Sequence, residues 1–372
     1  MTYFREFLQD YDSISIAVAQ DNEDILSFFH SLEMNQQKSN ISYDRSPDFF
    51  EFLRLVSPLY YVLLLKDKNG SIKGVGTLIV KESYIDGKPA QVCYLGDLRV
   101  STLKMTVYWR KFYSDLIRKF SQIKEFENCK INYTAILDQN TIAKKTLINN
   151  KNSYQYSSLS RYSMINILAP SILFNSTYVA AREELSTEVI EFMDYSQRSN
   201  FLGITKEEIK YRKDNWKGFR DNVIVVRNRD REIIAASALW SPYYAKKIKV
   251  SSFSKLISLF YKFSKFPSSC PELNSSLRPL YLTTLSFHPK LQDKDKTLAL
   301  KALINFSLKS EVFKDYHFLT LTESRQVNFQ KAYRFCYYQR THATLYEVTD
   351  RSLHRNKLTD IAESLFIEIA LI

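Results

Sequence analysis

The apolar run YLTTLSF (Tyr281–Phe287) leads directly into HPKLQDKDKTLALKAL, where a strand pattern gives way to a helix pattern across a few polar residues. A second junction has the same form: YLGDLRV (Tyr94–Val100) precedes STLKMTVYWRKF. The chemistry such a junction offers is anion binding. The first N–H groups of a helix have no intrahelical acceptor, and the helix dipole adds positive potential, so a diphosphate can settle there. Glycine helps only by letting the phosphate come close. Neither turn has one, and all seven glycines precede Asp221. At the later junction the Asp295 carboxylate opposes an anion by about 1 kcal/mol per charge pair at 4 Å in water, and about four times that at lower effective dielectric. Lys294 and Lys296 offset it.

Other chemistries find less support. The five histidines, His30, His288, His317, His342 and His354, include no pair at helical ligand spacing, and HExxH is absent, so no metal site is expected. The GxSxG hydrolase elbow is missing. Lys73-Gly74-Val75-Gly76 precedes a strand, not a helix, and reads as part of a hairpin. The four cysteines are widely separated, which suits a reducing compartment. RKDNWKGFR and RNRDR mix basic and aromatic residues in a way that can serve RNA, but no nucleic-acid motif accompanies them.

With 372 residues, 45% hydrophobic and 25% charged, the chain has the make-up of a globular protein of two domains. A net charge of +12 favours an anionic partner: a phosphorylated cofactor, a nucleic acid or an acidic surface. The N-terminus lacks the apolar core of a signal peptide, and no apolar run approaches the roughly 20 residues that cross a bilayer. A cytoplasmic location is expected.

The elements needed to position the two junctions occur twice. SISIAVA reads as a strand, DNEDILSFFHSL and SPDFFEFLRLV as helices, and LYYVLLLK, GVGTLIVKESY and AQVCYLGDLRV as an antiparallel meander with turns at Asn69-Gly70 and Asp86-Gly87. Helix, strand, helix and strand follow. The order then returns from STYVAAREE to THATLYEV, with little identity between copies. The expected architecture is α/β (α+β): two domains, 1–170 and 171–350, each a mixed, mostly antiparallel sheet flanked by helices. A tail, 351–372, ends in LTDIAESLFIEIALI, which fits an amphipathic helix. Residues 244–266, YAKKIKVSSFSKLISLFYKFSKF, carry lysines beside a helical apolar face. They fit a helix packed on the sheet, a lid, or a peripheral contact with an anionic membrane.

This doubled order, with Leu98-Arg99-Val100 and Leu285-Ser286-Phe287 ending the strands before the turns, resembles the GNAT (Gcn5-related N-acetyltransferase) superfamily in tandem over roughly 13–348. In that family the turn reads Arg/Gln-x-x-Gly-x-Gly/Ala and its amides hold the diphosphate of acetyl-CoA. The preceding strand splays from its neighbour to admit the pantetheine arm. The resemblance places the cofactor on Leu285, Phe287, Gln292, Asp293, Lys294, Asp295, Lys296 and Thr297. Gln292 keeps the family's first position, while Asp295 and Thr297 stand where small residues belong. Leu103–Tyr108 matches nowhere. The family's Tyr-x-x-x-Gly-Phe corresponds to Tyr333–Tyr338 and implies Tyr333 as the acid for the leaving thiolate; the general base would be Glu323 in the second copy or Asp97 in the first. The implied activity is acyl transfer, most simply from acetyl-CoA, to an amine of a small molecule or peptide, with the second copy active and the first shaping the acceptor cleft. Two alternatives stay open: a tandem GNAT-like transferase that takes an aminoacyl group from tRNA, which needs no glycine turn, and a binding scaffold without catalysis.

Overall fold

In the computed structural model, residues 1–35, 41–148, 153–170, 176–250, 276–324, 329–352 and 368 are described. Turn chemistry sets the first sheet region. Gly70 (φ 77°) closes the hairpin between β3 (Leu59–Lys66) and β4 (Ile72–Ile85). Asp86 (φ 50°) and Gly87 (φ 73°) close the one between β4 and β5 (Lys88–Val100). These left-handed values match the right-handed twist of the flanking strands. Before them come α1 (Phe4–Leu8), β1 (Ile14–Ile16), α2 (Asn22–Asn35), β2 (Ile41–Asp44) and α3 (Phe49–Val56). After them come α4 (Leu103–Lys119), β6 (Cys129–Leu137), the short α5 (Thr141–Ala143) and β7 (Tyr154–Pro170).

The later elements repeat that order. They are β8 (Ala180–Glu183), α6 (Thr187–Gln197), α7 (Lys206–Asn215), β9 (Val223–Arg227) and β10 (Ile233–Trp240), then β11 (Lys247–Val250), β12 (Ser276–Leu277) and β13 (Pro279–Phe287). The last four are α8 (Asp293–Lys309), β14 (Phe318–Ser324), α9 (Gln330–Tyr333) and β15 (Cys336–Asp350). Among the described residues the main sheet has twelve strands in the order β1-β3-β4-β5-β6-β15-β7-β14-β13-β10-β9-β8. All its pairs are antiparallel except β5–β6 and β13–β14.

The order shows an exchange at the centre. The final strand of the second run, β15, lies between β6 and β7 of the first, and β7 lies between β15 and β14. Their ladder extends from Cys336↔Pro170 to Asp350↔Tyr154 and joins the two halves. Helices cover both faces. On one, Val62, Leu64, Val75 and Ile79 share a core with α3, α6 and α7 and with Val223 and Val225 of β9. On the other, Leu63, Leu65, Leu78 and Val80 pack under Trp109, Phe112 and Leu116 of α4, while α8 covers Ile224, Val226 and Leu239. Burying alternate strand residues on opposite faces is what a two-layered helical cover requires.

Three features differ from the sequence reading. Phe4–Leu8 is a helix whose Phe4 is fully buried, and Ile41–Asp44 is a strand. Residues 247–250, expected within a helix, form β11 and pair with β2 from Lys247↔Asp44 to Val250↔Ile41 in a separate three-stranded sheet. The remainder of that amphipathic stretch, 251–266, and the proposed tail helix, apart from Glu368, lie outside the described residues.

Candidate active site

Each of the two junction strands carries a bulge. On β5, Thr77↔Gly96 is followed by Val75↔Arg99, so three steps on β5 oppose two on β4. On β13, Ala238↔Thr283 is followed by Ala236↔Ser286, the same offset. The residue after the last regular rung has positive φ in both: Asp97 at 53° and Thr284 at 52°. One extra residue bends the strand and re-aims its side chains. The parallel pairings stop just before each bulge. β5–β6 ends at Tyr94↔Tyr133 and β13–β14 at Tyr281↔Thr320, although all four strands continue. Each half therefore has a splayed gap beside a bulge, at the foot of a helix.

The two gaps are filled differently. The first opens on a cleft of about 260 Å³ lined by β2, α2, α3, β5, β6 and β7 and by Lys246. Asp97 lies in it, with Oδ1 and Oδ2 each 2.9 Å from a terminal nitrogen of Arg45, while the Thr77 hydroxyl donates to Oδ2 at 3.2 Å. Arg45 is buried and stacks over the Phe49 and Phe52 rings at 4.9 and 4.7 Å, so the ion pair is held from behind. Gly96 is needed beside it, because a Cβ there would fall 2.7 Å from the Tyr94 ring and 2.9 Å from Thr77 Oγ1. The small sheet forms the rim, tied by the Lys249–Asp44 ion pair at 2.7 Å. Lys246 sits over the Tyr43 and Phe52 rings at 4.7 and 4.8 Å. Burial and the nearby Arg45 cation, opposed by Asp97, bring its ammonium pKa down to about 7.

The second gap has about 20 Å³ of free space, and Glu368 is part of its wall. Glu368 Oε2 accepts from the Thr284 backbone N–H at 3.0 Å and from Arg212 Nη1 at 2.8 Å. Arg212 is fully buried, stacks on Trp216 at 4.3 Å, and also pairs with Glu208 at 2.5 Å. A carboxylate from the tail thus occupies the position by the bulge.

The residues expected from the sequence fall into three groups. Tyr333 and Glu323 come together: the tyrosine hydroxyl lies 3.0 and 3.1 Å from the two carboxylate oxygens, and Arg340 bonds both. Glu323 also accepts from the Phe329 N–H at 2.7 Å, so this buried cluster is satisfied within itself. Burial, then the Glu323 charge, push the Tyr333 hydroxyl pKa well up, which makes it a poor proton donor. Asp97 is on the other side of the exchanged strands, in the roomier cleft. Leu285 and Phe287 are buried core side chains packed with α8, and Leu285 also borders the second gap.

The turn residues open α8. Gln292 is its N-cap without a side-chain cap bond, and Asp293 and Asp295 stand in its first turn. Lys296 reaches Asp293 at 3.4 Å, the Tyr178 hydroxyl donates to Asp295 at 3.3 Å, Thr297 turns back to the Asp293 carbonyl, and Lys294 is exposed. The first turn of α4 has no acid and carries Lys104; the Thr102 cap hydroxyl accepts from Met105 N at 3.4 Å. Ser101 Oγ, buried just before it, has no hydrogen-bond partner among the described residues.

Sequence reasoning missed Arg45, Lys246, Arg212 and Glu368. Each is distant in sequence from the strand it serves, and only Gly96 beside Asp97 hinted at a bulge. Among the described residues, no His, Cys, Asp or Glu group is placed to hold a metal, and no helix is long and apolar enough to cross a membrane.

No family model and no curated protein sequence matches the chain. Solved structures do. N-myristoyltransferase of Saccharomyces cerevisiae with bound myristoyl-CoA aligns over 96% of this chain and 90% of its own, at 12% identity and a TM-score of 0.56. A second structure of that enzyme, also with myristoyl-CoA, gives 96%, 85%, 12% and 0.55. The GCN5-related glucosamine N-acetyltransferase region of a fungal multi-domain GH3 β-N-acetylglucosaminidase aligns over 90% of this chain and 38% of that one, at 12% identity and a TM-score of 0.56. Splayed parallel pairs beside bulged strands, occurring twice on one sheet, belong with these likenesses: the chain has the tandem GNAT fold of N-myristoyltransferase.

Proposed function

We propose that the protein is an acyl-CoA-dependent N-acyltransferase and that its donor lies in the first gap, not the second. The observation that supports this is the open β5–β6 splay, which leaves the main chain from Leu95 to Val100 without a ladder partner on β6 and meets the 260 Å³ cleft at Asp97, Leu98 and Arg99, just before α4. An extended arm bearing amides can pair with such an edge, and a diphosphate can take the free amides of α4 without facing an acid. Lys104 and the Ser101 hydroxyl, which has no hydrogen-bond partner among the described residues, add donors there. At α8 the same diphosphate would face Asp293 and Asp295.

The acceptor amine would enter the cleft beneath β2. Its nitrogen attacks the thioester carbonyl, the C–N bond forms and the C–S bond breaks. Lys246, half neutral near pH 7, takes the proton from the amine, and the departing thiolate takes one from water. Asp97, fixed by Arg45, orients the amine. Tyr333 and Glu323 serve the fold of the second half. Acetyl-CoA is the simplest donor, and a small-molecule or peptide amine the acceptor.

Titration with CoA while following the thermal midpoint tests the reading, since a ligand that prefers the folded state raises the midpoint. A rise is expected in the native chain and a smaller one in Lys104→Glu at the same CoA concentration. No rise with CoA or acetyl-CoA would overturn it. Salt-sensitive retention of tRNA in that case would point to the aminoacyl-tRNA alternative, and silence to both would leave a scaffold.

A further inference from the structure

The bulge on β5 borders a second cavity. On the α4 side of the sheet, about 40 Å³ of space lies among Leu63, Leu95, Gly96, Trp109 and Tyr113, and Leu98 lines both this cavity and the large cleft. The two differ in kind. The cleft holds charges and takes a polar acceptor, whereas the small cavity is walled mostly by leucines and aromatic rings. A thioester held at the bulge would place its reacting carbon between them.

Trp109 closes the far end. A Cβ built on Gly76 would lie 2.6 Å from the indole Cη2 and 2.8 Å from Cζ2, so the ring rests on the glycine where any side chain would displace it. Phe112 edges against the indole at 5.6 Å between centroids and Tyr113 stacks on it at 6.4 Å. Deepening the cavity means moving several packed aromatic rings, which a close-packed interior resists. The indole N–H is buried without a hydrogen-bond partner among the described residues, and a carbonyl-bearing guest would offset that cost. At roughly 10–15 Å³ per water-sized group, the space admits about three such groups.

We infer that the Trp109–Gly76 contact sets the length of the acyl group, limiting the donor to short-chain acyl-CoAs of about two to four carbons. This rests on the proposed acyl-CoA activity. It also separates the chain from the long-chain donor bound by the N-myristoyltransferase whose fold it shares.

Isothermal titration of the native chain with CoA, acetyl-, butyryl-, octanoyl- and myristoyl-CoA tests it. Affinity should change little from CoA to butyryl-CoA, then drop by about tenfold or more at octanoyl-CoA, the cost of overfilling a packed site. Trp109→Leu should recover octanoyl-CoA binding without losing CoA, and Gly76→Ala should weaken butyryl-CoA first. Octanoyl- or myristoyl-CoA bound by the native chain as tightly as acetyl-CoA would overturn the length limit while leaving the acyltransferase reading intact. Failure of CoA itself to bind would remove that reading, and the length limit with it. The native series decides the matter even where a Trp109 variant does not fold.

Discussion

The bulges on β5 and β13 share register and backbone sign, yet one faces open space and the other does not. On β5 the carboxylate belongs to the bulge residue, Asp97, and its arginine comes from behind, which leaves the gap clear. On β13 the bulge residue is Thr284, and the carboxylate arrives from Glu368, which occupies the gap it serves. A single backbone device thus yields a cleft or a closed joint according to where its charge originates. The turn residues pointed the other way: Gln292 is the better match to the family's turn, but the helix it opens starts with two acids.

The largest expected difference between the two regions is catalytic. Lys246→Met should lower kcat by about 10²–10⁴, as loss of a general base does, with the fold intact. The native rate should also fall about tenfold per pH unit below the Lys246 pKa of about 7, an inflection absent from the variant. An unchanged rate would remove Lys246 from the mechanism. In the closed joint the effect should fall on stability. Arg212→Met strands the buried Glu208 and Glu368 carboxylates and should cost about 3–5 kcal/mol by denaturant unfolding, as breaking one side of a buried pair does. A loss under about 1 kcal/mol would mean that the joint is not structural.

Lys246 also makes stability depend on pH. The unfolded chain keeps this proton up to about 10.5 and the folded chain releases it near 7, so between those values the unfolded state binds more protons. Stability should rise with pH across that window, and Lys246→Met should flatten the rise. A native curve that falls from pH 7 to 10 and is matched by the variant would contradict the assignment. The smallest effect concerns the helix feet. Lys104→Glu at α4 should weaken CoA by roughly 1 kcal/mol, about fivefold, and Lys294→Glu at α8 should leave it unchanged. Equal losses would erase the distinction between the two feet.

Much of the fold was legible because its signals are local. Asn69-Gly70 and Asp86-Gly87 fixed the meander, and the apolar periods placed α4, α8 and the strands before them. The doubled element order suggested the tandem sheet. The exchange of β7 and β15 was not legible, since a final strand reads the same beside β6 or one position further on. The residues of the candidate site were legible only in part. Asp97 could be suspected as an acid beside Gly96, but no local pattern ties it to Arg45, or Thr284 to Glu368. Tyr333 fitted a motif and Glu323 was an acid at a strand end, and the structure brings them together in a self-satisfied cluster. Trp109 lies in a helix pattern that gives no sign of the Gly76 beneath it.

Which of the two gaps receives CoA can be read directly from amide hydrogen exchange of the intact chain with and without the ligand. Slowed exchange is expected in 95–106, the bulge of β5 and the foot of α4, with 284–297 unchanged. Protection confined to 284–297 would place the donor at the foot of α8 and contradict the account.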